Sequence, residues 1–265
     1  MTQTRIDDAV LDNPVWAALR GPQAHLAEVA GRAGRYPADV APFHGTADLA
    51  DPAAWADLAR LAGPGVEVFV AGPGLAPPPD WASTFTLPGV QLVDAGTAAD
   101  DDPEIVELSA ADVPDMLDLA ARTQPGPFRP RSIEMGRFVG LRRDGALIAM
   151  AGERLRPPGW TEITAVCTDL EHRGQGIAAR LVRAVAAGIR QRGDTAFLHA
   201  AADNTNAIRL YEKLGFTLRT PVTFAVLRTP GGETALAEAG AVAAVHGAAA
   251  GAEPAEDAED ETEPW

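Results

Sequence analysis

Between Arg173 and Ala178 the chain reads Arg-Gly-Gln-Gly-Ile-Ala, and no other stretch points so directly to chemistry. A β-branched run from Ile163 to Thr168 precedes it and reads as a strand. The run breaks at an acidic turn, and Gly174 and Gly176 then open a helix expected to continue to about Arg192. Strand, glycine loop and helix form an anion cradle, because loop amides and the first helical turn aim their N–H groups at one spot. A phosphate or pyrophosphate fits there, and a side chain at Gly174 or Gly176 would hold it away from the donors. Cys167, the sole cysteine, lies inside the β-rich run with no histidine partner identifiable from sequence, so core packing outweighs a nucleophilic role. His25, His44, His172, His199 and His246 show no metal-ligand spacing.

The elements that position these residues follow from periodicity. Ile177, Leu181, Val185 and Ile189 recur at i+4, so one face of the helix after the loop packs on a sheet. Upstream, Ile105 to Leu108 reads as a strand, Ser109 as an N-cap, and Met116, Leu117 and Ala120 as the stripe of a helix ending near Arg122. Phe138 to Arg142 and Ala146 to Arg154 form a hairpin around Asp144-Gly145, and Pro157-Pro158-Gly159 turns into the glycine-loop strand. Phe197 to Ala200 is the next strand, Asn204 begins a helix closed by Gly215, and two strands follow, Phe216 to Thr220 and Val222 to Leu227.

Residues 1–95 read as a smaller α/β unit. It has helices at Asn13-Pro14 and Asp51-Pro52 and strands at Val66 to Val70, Trp81 to Phe85 and Val90 to Val93. Residues 96–102, with three consecutive aspartates, read as a linker, and 229–265 as a disordered acidic Ala/Gly-rich tail. Nine acidic residues and no Lys or Arg follow Arg228, so most of the formal charge of −15 belongs to that tail. Neither part carries the basic stripe of a nucleic-acid binder. Without a signal-peptide pattern or a membrane-length apolar run, the expectation is a soluble cytoplasmic protein.

The hexapeptide is of the form R-x-x-G-x-A, and one helix and one strand later comes Asn204-Thr205-Asn206-Ala207-Ile208-Arg209-Leu210-Tyr211-Glu212-Lys213-Leu214-Gly215-Phe216. Together these resemble the Gcn5-related N-acetyltransferase (GNAT) superfamily over residues 103–228. The first ninety-odd residues resemble, more faintly, a shortened and degenerate second copy of that fold without its own glycine loop. The resemblance implies an α/β (α+β) fold with a mixed, mostly antiparallel sheet flanked by helices. It implies acetyl-CoA bound through the main chain, the pyrophosphate on Arg173, Gly174, Gln175, Gly176, Ile177 and Ala178 and the pantetheine arm along Val166, Cys167 and Thr168, with no metal. Asn204 matches the family's asparagine near the pantetheine, and a helix N-cap describes it equally well. Tyr211 matches the tyrosine beside the thioester sulfur, where a phenol gives the leaving thiolate a proton or a hydrogen bond.

By the same resemblance Glu162 is the candidate proton acceptor for the incoming amine. If the 155–160 connection is a symmetric hairpin loop, Glu153 faces Glu162, and two facing carboxylates would raise one pKa or attract a cationic amine. Solvated glutamates, or pairing with Arg154 and other arginines, fit the sequence equally, and a one-residue slip or a bulge would separate the two. The expected activity is direct acetyl transfer to a primary amine of a small molecule or a peptide. A catalytically silent CoA-binding sensor or scaffold is the alternative. The acceptor and the oligomeric state, a homodimer included, are open.

Overall fold

The structure is a computed structural model that describes residues 8–98 and 102–231. Eleven strands and five α-helices are found among these residues. In chain order they are α1 (Pro14–Leu19), β1 (Glu28–Ala30), β2 (Ala33–Arg35), β3 (His44–Thr46), α2 (Pro52–Ala62), β4 (Glu67–Gly72) and β5 (Ala82–Asp94). The chain continues with β6 (Ile105–Leu108), α3 (Val113–Thr123), β7 (Phe138–Arg143), β8 (Ala146–Glu153), β9 (Trp160–Thr168), α4 (Ile177–Gln191), β10 (Thr195–Ala201), α5 (Thr205–Leu214) and β11 (Phe216–Arg228). None of the described helices is long and apolar enough to cross a membrane.

Local chemistry accounts for most of these boundaries. Asp51 caps α2 by accepting from the Ala53 N–H, with Pro52 at the first helical position. Ser109 and Asp112 form a reciprocal capping box ahead of α3. Gly215 closes α5 at a φ of +105°, a left-handed position that favours glycine.

Eight strands form one sheet in the order β4-β11-β5-β10-β9-β8-β7-β6, antiparallel throughout except for the β10–β9 pair. Helix α4 buries Ile177, Leu181, Val185 and Ile189 against one face, with Ile163, Leu198 and Tyr211 in the same cluster. On the other face α3 sets Met116 and Leu119 against Met150 and Cys167, while Leu11, Val15, Tyr36 and Phe43 of the N-terminal segment pack on Leu155, Trp160 and Phe197.

Two pairs of expected short strands are each a single strand of 13 residues. Strand β11 spans both of the strands expected after Gly215 and absorbs a register shift between Leu218 and Thr220. Strand β5 runs through Pro88, which lies one residue past the last β10 rung, Ala201↔Gly89, where the ladder does not need the missing N–H. The expected division at 96–102 runs through one sheet, because β4 and β5, drawn from the first 95 residues, share it with β6 to β11. Before β4 the chain forms a separate three-stranded sheet, β1-β2-β3. Residues 99–101 of the expected linker and the expected tail from 232 onward lie outside the described residues.

Candidate active site

The parallel ladder between β9 and β10 covers four rungs and ends at Ile163↔Leu198, yet both strands continue. Strand β10 goes on beside β5 through Ala201, and β9 goes on beside β8 through Thr168. The two therefore part, and among the described residues no strand lies on the β10 side of β9 beyond Ile163. Ala165 marks the parting with a left-handed φ of +52°, next to a register shift between Met150 and Gly152. Such a φ is uncommon for a residue with a Cβ and turns β9 away from its former neighbour.

Val166, Cys167 and Thr168 line this open edge. The Val166 side chain packs with the α4 cluster and Cys167 with the α3 cluster. Burial raises the Cys167 thiol above its ordinary range, so it is a packed thiol rather than a poised nucleophile. The Thr168 hydroxyl is buried without a hydrogen-bond partner among the described residues, and its carbonyl accepts from Arg173 Nε at 3.2 Å.

After β9 a 3-10 turn, Leu170–His172, leads into the loop. Gly174 and Gly176 adopt φ values of +77° and +75°, and a Cβ at either would meet no atom within 4 Å. Glycine is thus required by backbone conformation, and the space in front of the loop is open. Helix α4 starts at Ile177 with no side-chain cap, so its first-turn N–H groups face that space. Ile177 anchors the turn in the core while Arg173, Gly174, Gln175 and Gly176 are exposed and Ala178 is half-buried.

Asn204 caps α5, its Oδ1 accepting from the Ala207 N–H at 3.1 Å. Tyr211 is buried in the α4 cluster beside Phe216, and no hydrogen bond to its hydroxyl is found among the described residues. Burial pushes its phenol up to about 12.

The expected facing of Glu153 and Glu162 does not occur. Pro157 to Trp160 forms a turn closed by the Trp160 N–H donating to the Pro157 carbonyl, with Gly159 at a φ of +79° where a type II turn needs glycine. The strand pairing it leads into is one residue out of step with the symmetric loop expected from sequence. Glu153 is consequently opposite Ile163, and Arg154 lies across from Glu162. The carboxylates occupy opposite faces of the sheet. Glu153, 2 % exposed, pairs with Arg192 at the end of α4 at 2.5 Å.

Glu162 is wholly buried and accepts from Arg154 Nε at 2.8 Å and Nη2 at 2.7 Å, with His199 Nδ1 at 2.7 Å from Oε1. Burial alone would raise this carboxyl, but the Arg154 guanidinium, its hydrogen bonds and His199 together hold it well below the ordinary carboxylate range. A carboxylate so held is a poor direct acceptor for an amine proton. The sequence admits the pairing with Arg154, whereas His199 is reached only through the parallel β9–β10 register.

The FR47-like protein family matches residues 138–225, which hold the parted strands, the loop and both α4 and α5. A solved GNAT-family structure from Novosphingobium aromaticivorans is 43 % identical, with a TM-score of 0.77 over 83 % of this chain and 99 % of that one. N-alpha-acetyltransferase RimI of Mycobacterium tuberculosis is 35 % identical over 82 residues, 30 % of this chain and 51 % of that protein. Mycothiol acetyltransferase of Thermobispora bispora is 46 % identical over 57 residues, 21 % of this chain and 19 % of that protein. The matches to these two curated relatives therefore span about half and about a fifth of their lengths. A mixed sheet parting beside a glycine loop, with a relative of this identity matched along nearly its whole length, defines the class. The chain belongs to the GNAT family.

Proposed function

We propose that the protein is an acetyl-CoA-dependent N-acetyltransferase that moves the acetyl group directly to a primary amine. The observation that carries this reading is the parting of β9 and β10 after Ile163↔Leu198, flanked by the Gly174–Gly176 loop at one end and Tyr211 on the α4 side. The open edge at 166–168 offers main-chain groups to a pantetheine arm in the manner of an added strand. The loop amides and the first turn of α4 offer N–H donors to a pyrophosphate, and Asn204 serves as the cap of α5.

In the transfer the amine nitrogen bonds to the acetyl carbonyl carbon, the carbon–sulfur bond breaks, and CoA leaves as a thiolate. A main-chain N–H on the β9 edge stabilises the developing oxyanion. With a phenol near 12 facing a thiol near 8.5, Tyr211 keeps most of its proton and acts by hydrogen-bonding the thiolate. Glu162 contacts Arg154 and His199 rather than open space, so the amine proton passes to water in the gap between the strands. The N-terminal segment and the 124–137 connection frame the acceptor side. They are joined by the Arg131–Asp39 ion pair and by the Ser132 hydroxyl donating to the Val40 carbonyl.

Calorimetric titration with acetyl-CoA tests the binding half of this reading. Binding by the wild type and a large loss in Gly176→Val are expected. Equal affinity of the two proteins would overturn the loop assignment.

A further inference from the structure

A chain of buried polar groups crosses the sheet on the face opposite α4, and the chemistry above leaves it unused. From Arg154 it passes through Glu162 on β9 to His199 on β10. His199 Nε2 lies 3.1 Å from Gln91 Nε2 on β5, and Gln91 Oε1 lies 3.0 Å from Arg219 Nη1 on β11. Gln91 Nε2 also donates to the Leu11 carbonyl at 3.0 Å, and Arg219 reaches Asp12 at 2.8 Å and the Asp8 carbonyl at 2.8 Å.

Donor and acceptor types leave one consistent arrangement. A guanidinium only donates, so Gln91 must present its oxygen to Arg219 and its NH2 group to His199 and Leu11. His199 Nε2 must then accept, which places the imidazole proton on Nδ1, where it donates to Glu162. The rings of Phe197 and Phe224 stand edge-on to the imidazole at 5.6 and 5.7 Å and block its rotation.

The location gives the network a role. Leu198 is the last residue of β10 paired with β9, and His199 is the next one along. Glu162 lies one residue before the last rung on the other strand. Their contact therefore ties β9 to β10 at the point where the strands separate. We propose that His199 and Glu162 are a clasp that fixes where β9 and β10 part, and so the shape of the edge that receives the acetyl-CoA arm, with Gln91 as the residue that holds the imidazole in the required tautomer. All three are positioning residues, and the link to acetyl-CoA rests on the proposed function.

The test compares full-length wild type with His199→Asn and His199→Leu. Asparagine keeps an N–H donor near the Nδ1 position and cannot accept a proton as imidazole does, whereas leucine removes the donor. The measurements are acetyl-CoA affinity by calorimetry, amide hydrogen exchange over residues 164–168, CoA release with an amine panel, and the 15N shifts of the His199 ring. The clasp predicts a wild-type imidazole protonated on Nδ1. It predicts faster exchange at 164–168 and about tenfold weaker acetyl-CoA binding in a folded His199→Leu protein. His199→Asn should return exchange, affinity and turnover close to wild type.

Normal acetyl-CoA binding but turnover near a hundredth of wild type in His199→Asn would overturn the clasp, because imidazole would then be serving as a proton acceptor. A proton on Nε2, or unchanged exchange in His199→Leu, would overturn it as well. If the wild type binds no acetyl-CoA the proposed function fails, and exchange and ring shifts still decide the clasp.

Discussion

Glu162 is wholly buried, accepts two hydrogen bonds from the Arg154 guanidinium and lies 2.7 Å from His199 Nδ1. Removing one partner of a buried, hydrogen-bonded ion pair leaves the other charge without compensation, at a cost of about 3–5 kcal/mol. Glu162→Gln is therefore expected to lower stability by about that amount at pH 7, read by denaturant unfolding. Because the folded carboxyl lies below its unfolded value, its contribution is complete above the ordinary glutamate range of about 4.3 and is lost as pH falls from there. The gap between wild type and variant should thus narrow in strong acid. A gap that widened there would contradict the assignment. Tyr211 carries the opposite expectation. Tyr211→Phe should lower kcat about a hundredfold and leave acetyl-CoA affinity unchanged, and its phenol should add no basic limb to the pH–rate profile below about pH 10.

At the scale of elements, the glycine loop and the turn before β9 differ in how far the sequence determines them. The loop was legible because its requirement is local: Gly174 and Gly176 need a left-handed backbone, and the strand before and the helix after are periodic. Gly176→Ala is expected to cost about 1–2 kcal/mol in backbone strain and to weaken acetyl-CoA binding. Gly176→Asn should lose less, since asparagine tolerates that region, and the order of the two dissociation constants checks it. The sequence marks 157–159 as a turn, but the strand pairing beyond it is one residue out of step with a symmetric loop. In a strand that single residue moves a side chain to the other face, so Glu153 and Glu162 separated and Arg154 took the facing position. His199 was not legible for a related reason. Alternation along β10 puts it on the face of Phe197, but nothing local shows that β10 runs parallel to β9 and stops pairing at Leu198.

At the scale of the whole molecule, the helices and most strands could be read from sequence, but the sharing of one sheet between the two ends of the chain could not. Strand β5 lies between β10 and β11, pairs with both along their lengths, and comes from the first 95 residues. A fragment limited to residues 103–231 would leave the facing edges of β10 and β11 without their shared partner and expose Leu92's side of the core. It should fail to give a cooperative unfolding transition, whereas residues 8–231 should give one, as circular dichroism during heating would show. A stable 103–231 fragment would restore the separate-domain reading. The central claim concerns transfer rather than folding, and it is tested most directly by initial rates of CoA release as acetyl-CoA and a panel of primary amines are varied together. Direct transfer predicts acceptor-dependent release with intersecting double-reciprocal lines and loss of turnover in Tyr211→Phe. Tight acetyl-CoA binding with no release to any amine, and no effect of that substitution, would contradict it and favour a CoA-binding protein without turnover.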